Sequence, residues 1–428
     1  MIHAGRSICF LTASHLCHNP RILKSAGALA RHGYDVEVLG AWSDPVLKAR
    51  DEGLLSCRPF RFTPIADVVV DGTSRIRGRV RRRLGHLAQQ FANVENRWQL
   101  GYFYPELRRM AFRRRADLYI AHSEQGMAAA ADLLHAGRRT GLDLEDWFSE
   151  DLLPEARQHR PLRLLRSLER KLLVGGAYTS CPSRVMSRAL VEEHGCRLPT
   201  VIYNAFEWAE HRLLDGERKD RRNGGLPSIH WYSQTLGQGR GLEDLIAALP
   251  LLKSEAQIHL RGQPAAGFEE WLRAQIPDEL RSRVIVHGLV TNSELLSRVA
   301  EHDIGFAGEG KYCRSRNLTI TNKILHYLLA GLAVVASDTA GQREVAECAA
   351  DAVLLYPSGD PAALAARLDS LLESPERLNR AKAAALRAAE QTFCWERQER
   401  VLLESVKRAL CDRSAFDATL KQSAFLQL

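Results

Sequence analysis

Thr321, Asn322 and Lys323 stand at the head of a periodic run, NKILHYLLA, that ends at Gly331 and is followed by the apolar LAVVAS. Threonine suits a helix N-cap and glycine the position just past a helix end, so the spacing predicts a helix over 322–330 and a strand after it. The free amides of a helix's first turn, together with the partial positive charge of that end, make an anion site. Arg314, Arg316 and Lys323 add full charges close by, and His326 and Tyr327 lie one turn further along. A diphosphate is the anion that best suits a site of this size. A second stretch, WYSQTLGQGRGLEDLIAA over 231–248, sets Gly237, Gly239 and Gly241 between a strand-like run and a helix-like one. Glycines let backbone amides approach a phosphate, and Arg240 carries a charge that pairs with it.

Such stretches need a frame, and the rest of the chain supplies one. Short apolar runs alternate with helical patterns: SICFLTAS (7–14), then the amphipathic NPRILKSAGALARHG (19–33), then DVEVLGAW (35–42). The unit recurs with DLYIAHS (117–123) and LDLEDW (142–147), and again with AYTSCPS (177–183) and TVIYNAF (200–206). Strand, helix, strand order implies parallel sheets with helices on their faces. The stretch HRLLDGERKDRRNGGLPS (211–228) interrupts the series with charges, two glycines and a proline, and reads as a linker. A second series follows: SIHWYS, QIHLRG, VIVHGLV, DIGFAG, LAVVASD and AVLLY. The expected fold class is α/β, with two Rossmann-like doubly wound domains facing across a cleft. Their bounds are 1–206 and 228–395, with 207–227 as linker.

A chain of 428 residues is too long for one ordinary core, which agrees with two domains. No segment approaches 18 uncharged apolar residues, and MIHAGRSICFLTAS leads straight into patterned sequence, so neither a spanning helix nor a secretory signal is expected. The nine cysteines are scattered, odd in number and never spaced CxxC, which fits a reducing cytoplasm better than a disulfide framework or a zinc site. Net charge is +8, but residues 75–115 hold twelve arginines, no lysine and only two acids, Glu95 and Glu106. That surplus of ten exceeds the charge of the whole chain, so the basicity is one patch.

With these segments in view, the sequence resembles a family: the retaining glycosyltransferases of the two-Rossmann GT-B fold, in particular the large family 4 type. The similarity covers nearly the whole chain. HNPRILKSAGALARHGYDVEVLG looks like that family's first strand-helix-strand, DLYIAHSEQG like its histidine segment, and QTLGQGRGLEDLIAAL like its donor loop. TNKILHYLLAGLAVVASDTAGQREV looks like its signature helix and strand. The resemblance implies that Arg240 and Lys323 face a donor diphosphate, with Gly239, Thr321 and Arg316 beside it. It places His326 where a glutamate usually holds the nucleotide ribose, and the loop Leu289–Val290 beside the base. His122 matches the histidine that assists reaction at the anomeric carbon. Asn19, Arg21, Asp143, Glu145 and Asp146 fall on the acceptor side, where the carboxylates bind hydroxyls or act as a base.

The chain also departs from that pattern. The family's glutamate pair, eight positions apart, falls on Leu318 and His326, and the arginine that opens the donor loop falls near Gln234. A neutral imidazole accepts one hydrogen bond where a carboxylate grips two hydroxyls. The function implied is transfer of a sugar from a UDP- or GDP-sugar to a saccharide or lipid-linked saccharide in cell-surface polysaccharide synthesis, with retention. No metal or other cofactor is expected, since a DxD-like carboxylate pair is not evident. Two other readings stay open: a nucleotide-sugar epimerase, and a non-catalytic subunit that binds nucleotide-sugar. From resemblance, the last helix, from about 396, crosses back to the N-terminal domain.

In residues 75–115 arginines interleave with Phe91, Trp98, Tyr102, Phe103, Tyr104 and Phe112. Arginine with aromatic neighbours on a helix suits the headgroup region of an anionic membrane, each charge contributing on the order of 1 kcal/mol near the surface. Nucleic acid is the competing partner and is not expected, because the charge is confined to one segment and no nucleic-acid module appears. The expected location is cytoplasmic, peripheral on the inner face of the plasma membrane.

Overall fold

The protein is described by a computed structural model over residues 5–158, 160–222, 225–239 and 241–411. Thirteen strands form two wholly parallel sheets. The first contains β1 (Ser7–Leu11), β2 (Asp35–Trp42), β3 (Arg61–Asp67), β4 (Leu118–Ala121), β5 (Thr140–Asp143), β6 (Tyr178–Cys181) and β7 (Thr200–Val201), in the order β3-β2-β1-β4-β5-β6-β7. The second contains β8 (Ser228–Leu236), β9 (Gln257–Pro264), β10 (Val284–His287), β11 (Ile304–Ala307), β12 (Ala333–Ser337) and β13 (Val353–Tyr356), in the order β10-β9-β8-β11-β12-β13. Unit 1 comprises Met1–Pro182, Ser187–Ile202 and Glu399–Leu428, and unit 2 comprises Ser183–Met186 and Tyr203–Gln398.

Parallel strands covered on both faces are apolar throughout, and β12 shows the consequence. Ala333 and Val335 pack with Ile229, Trp231 and Leu260 on one side. Val334 and Ala336 pack with Ile324, Tyr327 and Leu328 on the other. One strand, β3, was not foreseen. It carries Pro64 and pairs only with β2, at the sheet's edge, where a residue without an N–H can be accommodated.

The stretch read as a linker is bound into unit 2. Asp215 pairs with the buried Arg298, Asp220 accepts from Arg261, and Arg221 Nη1 donates to Asp303 Oδ2 at 2.8 Å. The charges that look like solvated punctuation in the sequence are thus matched by partners on β9, on the helix Asn292–Ala300 and at the start of β11. Against them lies a layer of imidazoles. His230 stacks on His302 at 4.4 Å, His302 lies 4.6 Å from His259, and His259 stacks on His287 at 5.2 Å. Asp220 stands 3.5 Å from His287 Nδ1 and 3.6 Å from His302 Nε2.

The helix Trp395–Cys411 begins in unit 2, where the Trp395 amide donates to Phe206 O at 2.7 Å. It ends in unit 1, burying Leu402, Val406, Ala409 and Leu410. Ser405 Oγ meets Thr200 Oγ1 at 3.1 Å and Arg139 donates to Leu410 O.

Candidate functional site

In open parallel sheets ligands bind beyond the carboxyl ends of the strands. In unit 2 three segments meet there. The helix Asn322–Ala330 starts from Thr321 in an extended conformation and stops at Gly331, whose φ of 75° is the left-handed value glycine tolerates. Thr321 occupies the N-cap position, yet its side chain makes no capping bond; its hydroxyl faces Gln342 Oε1 at 3.5 Å. The helix amides therefore lack that internal acceptor. Lys323 Nζ sits 3.5 Å from Glu309 and 5.3 Å over the Trp231 ring.

Glu309 follows β11 and was not among the expected residues. It is buried, and its amide donates to Ser337 Oγ at 2.8 Å. Ser337 in turn accepts from Gln342 Nε2 at 2.9 Å, which ties the ends of β11 and β12 together. The glycine loop after β8 closes on the same place. A Cβ on Gly241 would lie 2.9 Å from the backbone of Gly308 and 3.2 Å from the Glu309 amide. Gly241 is thereby held against Glu309 by backbone contact, and Lys323 reaches the same Glu309 through its side chain. Arg240 lies outside the described residues. Arg316 is half-buried on the short helix Arg314–Leu318, between Glu309 and Thr321 in the chain. Val290 follows β10 at the same end of the sheet, three strands from β11, a separation of about 14 Å at ordinary strand spacing.

His326 does not reach out from its helix. It is 4% exposed, its Nδ1 bonds the Tyr232 hydroxyl at 2.9 Å, and its ring packs on Phe206 at 4.5 Å. Burial pulls it down to about 4, so it is a neutral ring of the core at pH 7. Asn322 engages Asn204 at 2.9 Å.

In unit 1 the carboxyl ends of β4 and β5 bring together His122 and Asp143. His122 is buried, its amide donates to Leu11 O at 3.0 Å, and its ring lies 5.3 Å from Phe10. Its Nδ1 is 3.5 Å from Asp143 Oδ2. Among the described residues neither ring nitrogen makes a hydrogen bond, which for a buried polar group marks either cost or use. Burial, only partly offset by Asp143, lowers it to about 4.

Arg21 and Asp143, expected on the acceptor side, are bound to each other. Arg21 Nε and Nη2 grip Asp143 at 2.7 and 2.8 Å, its Nη1 donates to Ile202 O at 2.7 Å, and both side chains are at most 3% exposed. Each is thus the other's main partner within the sheet end. Burial alone would raise the Asp143 carboxyl, and the guanidinium reverses this and holds it low. Asn19 likewise ties its own loop, donating to Ser14 Oγ at 2.8 Å and His15 O at 2.7 Å. Glu145 and Asp146 are half-buried just beyond β5, and burial, reinforced by Asp146 and Asp143 against Arg21, pushes Glu145 up to about 7. A carboxyl so placed exchanges its proton near neutrality. Ala13, in the loop after β1, holds a φ of 58°, strain of the kind that collects at functional sites. Among the described residues no group of three or more His, Cys, Asp or Glu is arranged to hold a metal ion.

Residues 229–374, within unit 2, match the family model described as Glycosyl transferases group 1. Among curated proteins no sequence matches the chain. Solved structures with the same fold include HepE of Anabaena in complex with UDP, at 19% identity over 94% of this chain and 99% of that one, with a TM-score of 0.68. Sucrose-phosphate synthase of Thermosynechococcus elongatus superposes with a TM-score of 0.66 at 14% identity, over 94% and 98% of the two chains. A UDP-forming α,α-trehalose-phosphate synthase of Burkholderia xenovorans does so with a TM-score of 0.66 at 13% identity, over 95% and 100%. The two-sheet architecture is the GT-B fold of these structures.

Proposed function

We propose that this chain is a glycosyltransferase that moves a sugar, with retention, from a UDP-sugar held by unit 2 to a saccharide or lipid-linked saccharide of a cell-surface polysaccharide, bound on unit 1. The observation that carries the reading is the convergence of the glycine loop after β8, Glu309, and the uncapped start of the helix bearing Lys323 at one end of one sheet. The choice of uridine draws on HepE, whose structures hold UDP, glucose and UDP-glucose.

In the reaction the bond from the anomeric carbon to the diphosphate oxygen breaks, its electron pair leaves with the diphosphate, and the acceptor hydroxyl adds to the same face. Negative charge grows on the departing oxygen. Lys323 and the amides of residues 322–324 are fixed donors for that charge, so they stabilise the transition state more than the bound substrate, and Arg240 in the glycine loop is assigned to add its charge. His122, neutral because it is buried, bonds a sugar hydroxyl without repelling cationic charge at the anomeric carbon. Glu145, near neutrality, takes the acceptor's proton. His326 supports the ribose region from below through Tyr232 and does not grip it directly. No metal takes part in this reading. The enzyme works in the cytoplasm, with the arginines of 75–115 against the anionic inner face of the membrane.

Thermal shift and turnover test this together. UDP at 100 times its dissociation constant stabilises by about 2.7 kcal/mol, a measurable shift. Lys323→Ala and Arg240→Ala should each lose the shift, while His122→Ala keeps it and loses turnover with a UDP-sugar panel. A normal shift in both basic variants overturns the donor assignment, and binding without any turnover favours a non-catalytic subunit.

A further inference from the structure

The helix Gly72–Ala92 in unit 1 is packed inside out. Its two small interior positions, Gly78 and Gly85, face the protein: a Cβ on Gly78 would come within 2.9 Å of Tyr102 Cβ, and one on Gly85 within 2.8 Å of Asn96 Oδ1. At about 100° per residue these glycines mark one side, and Ile76, Val80, Leu84, Leu87 and Phe91 fall around the opposite side. They are 65, 50, 49, 45 and 80% exposed. A helix that only needed to fold would bury this stripe. Arg75, Arg77, Arg79 and Arg83, all exposed, border it on both flanks. An apolar stripe edged by arginines is complementary to a surface that is apolar inside and anionic at its rim, which is an anionic lipid leaflet.

Beside the stripe lies a cavity of about 500 Å³, lined by Leu84, Ala88, Val94, Trp98, Tyr104 and Leu164. Leu84 belongs to both, so the cavity adjoins the exposed face. The polar groups around it are engaged with each other: Arg97 Nη1 donates to the Tyr104 hydroxyl at 3.0 Å and pairs with Asp132, and Glu95 accepts the Leu164 amide at 2.6 Å. What the cavity offers a ligand is hydrocarbon, in a volume typical of pockets for one small molecule. We propose that this cavity takes one acyl chain of an anionic phospholipid while the stripe lies among the other chains of the leaflet. The proposal rests on the membrane reading above and adds to it a lipid-chain site with its own walls.

Two measurements separate the layers. Flotation with vesicles of phosphatidylcholine, alone or mixed with phosphatidylglycerol, reads the membrane reading; the wild type should float only with the mixture. Val80→Glu with Phe91→Glu, both on exposed positions, should cut binding by about tenfold or more at an unchanged melting temperature. Phosphatidylglycerol brominated on its acyl chains reads the cavity, through quenching of the fluorescence that Trp98→Phe removes. Filling the cavity with Ala88→Phe should abolish that quenching and leave flotation intact; if this variant melts early, Leu164→Phe, on a cavity wall outside the stripe, replaces it. No flotation of the wild type sinks the membrane reading and the cavity site together. Flotation without Trp98 quenching, or quenching that survives both cavity variants, sinks the cavity site alone. A dimer that becomes monomeric in the stripe variant, with no flotation at any composition, assigns the stripe to a second copy and overturns the proposal.

Discussion

The two units bury different mixtures of ionisable groups. Unit 2 encloses His230, His259, His287, His302 and His326, all lowered chiefly by burial, His259 to about 3 and His326 to about 4. Unit 1 encloses two carboxyls, Glu145 and Glu169, that burial raises to about 7, together with His122. The consequences for acid stability run in opposite directions. A histidine that stays neutral in the fold but titrates near 6.5 when unfolded loses stability as pH falls below about 6.5, because only the unfolded chain takes up the proton. A carboxyl raised to about 7 in the fold does the reverse: its contribution grows as pH falls from 7 toward its unfolded value near 4.5. Mild acid should therefore loosen unit 2 while unit 1 is largely compensated. Two sheets of one architecture thus differ in what their polar interiors require of the solvent.

The largest blow to this comparison is local to unit 1. Asp143→Asn leaves Arg21 charged and buried without its partner, and should cost about 3–5 kcal/mol in denaturant unfolding while abolishing turnover through the His122 it faces. A cost under about 1 kcal/mol would show that the pair is not what organises that sheet end. Next comes acidification. Between pH 7 and pH 5, hydrogen exchange corrected for intrinsic rates should rise in peptides of β8 to β11, and rise less in β1, β4 and β5, where Glu145 and Glu169 offset His122. Equal loosening of both units would break the contrast. Gly241→Ala meets both a φ of 75° and the Gly308 backbone, so it should destabilise unit 2 by about 1–3 kcal/mol and weaken the UDP-induced thermal shift. Thr321→Ala is the smallest: with no capping bond to lose, it should change stability by less than about 0.5 kcal/mol, which calorimetry can check.

Much of the frame was legible because buried parallel strands are short uninterrupted apolar runs, and twelve of the thirteen stood out. β3 did not, because Pro64 argues against a strand anywhere except an edge, and edge position is a property of the sheet. The imidazole layer was invisible for a related reason. His230, His259, His287 and His302 come one to a strand end or loop, some thirty residues apart or fewer, and only the register that sets His230 beside His259 makes them a cluster. The charged stretch 211–228 misled in the same way, since Asp215, Asp220 and Arg221 look solvated until Arg298, Arg261 and Asp303 are folded against them. At the site, Lys323 and the glycine loop were visible from type and spacing. Glu309 gives no signal at the eight-residue spacing, which falls on Leu318; this carboxylate arrives from the end of β11. That Arg21 and Asp143 are each other's partner could not be read from the sequence, because a bidentate pair 122 positions apart leaves no trace there.

The helix Trp395–Cys411 also has a bearing on biosynthesis. Leu402, Val406, Ala409 and Leu410 belong to the interior of the unit that begins the chain, yet they are among the last described residues to leave the ribosome. Translation therefore delivers every described strand of the later sheet before it delivers the closing segment of the earlier one. The usual amino-terminal-first order of maturation is thereby altered, since the first unit keeps an uncovered apolar surface until this helix has been made.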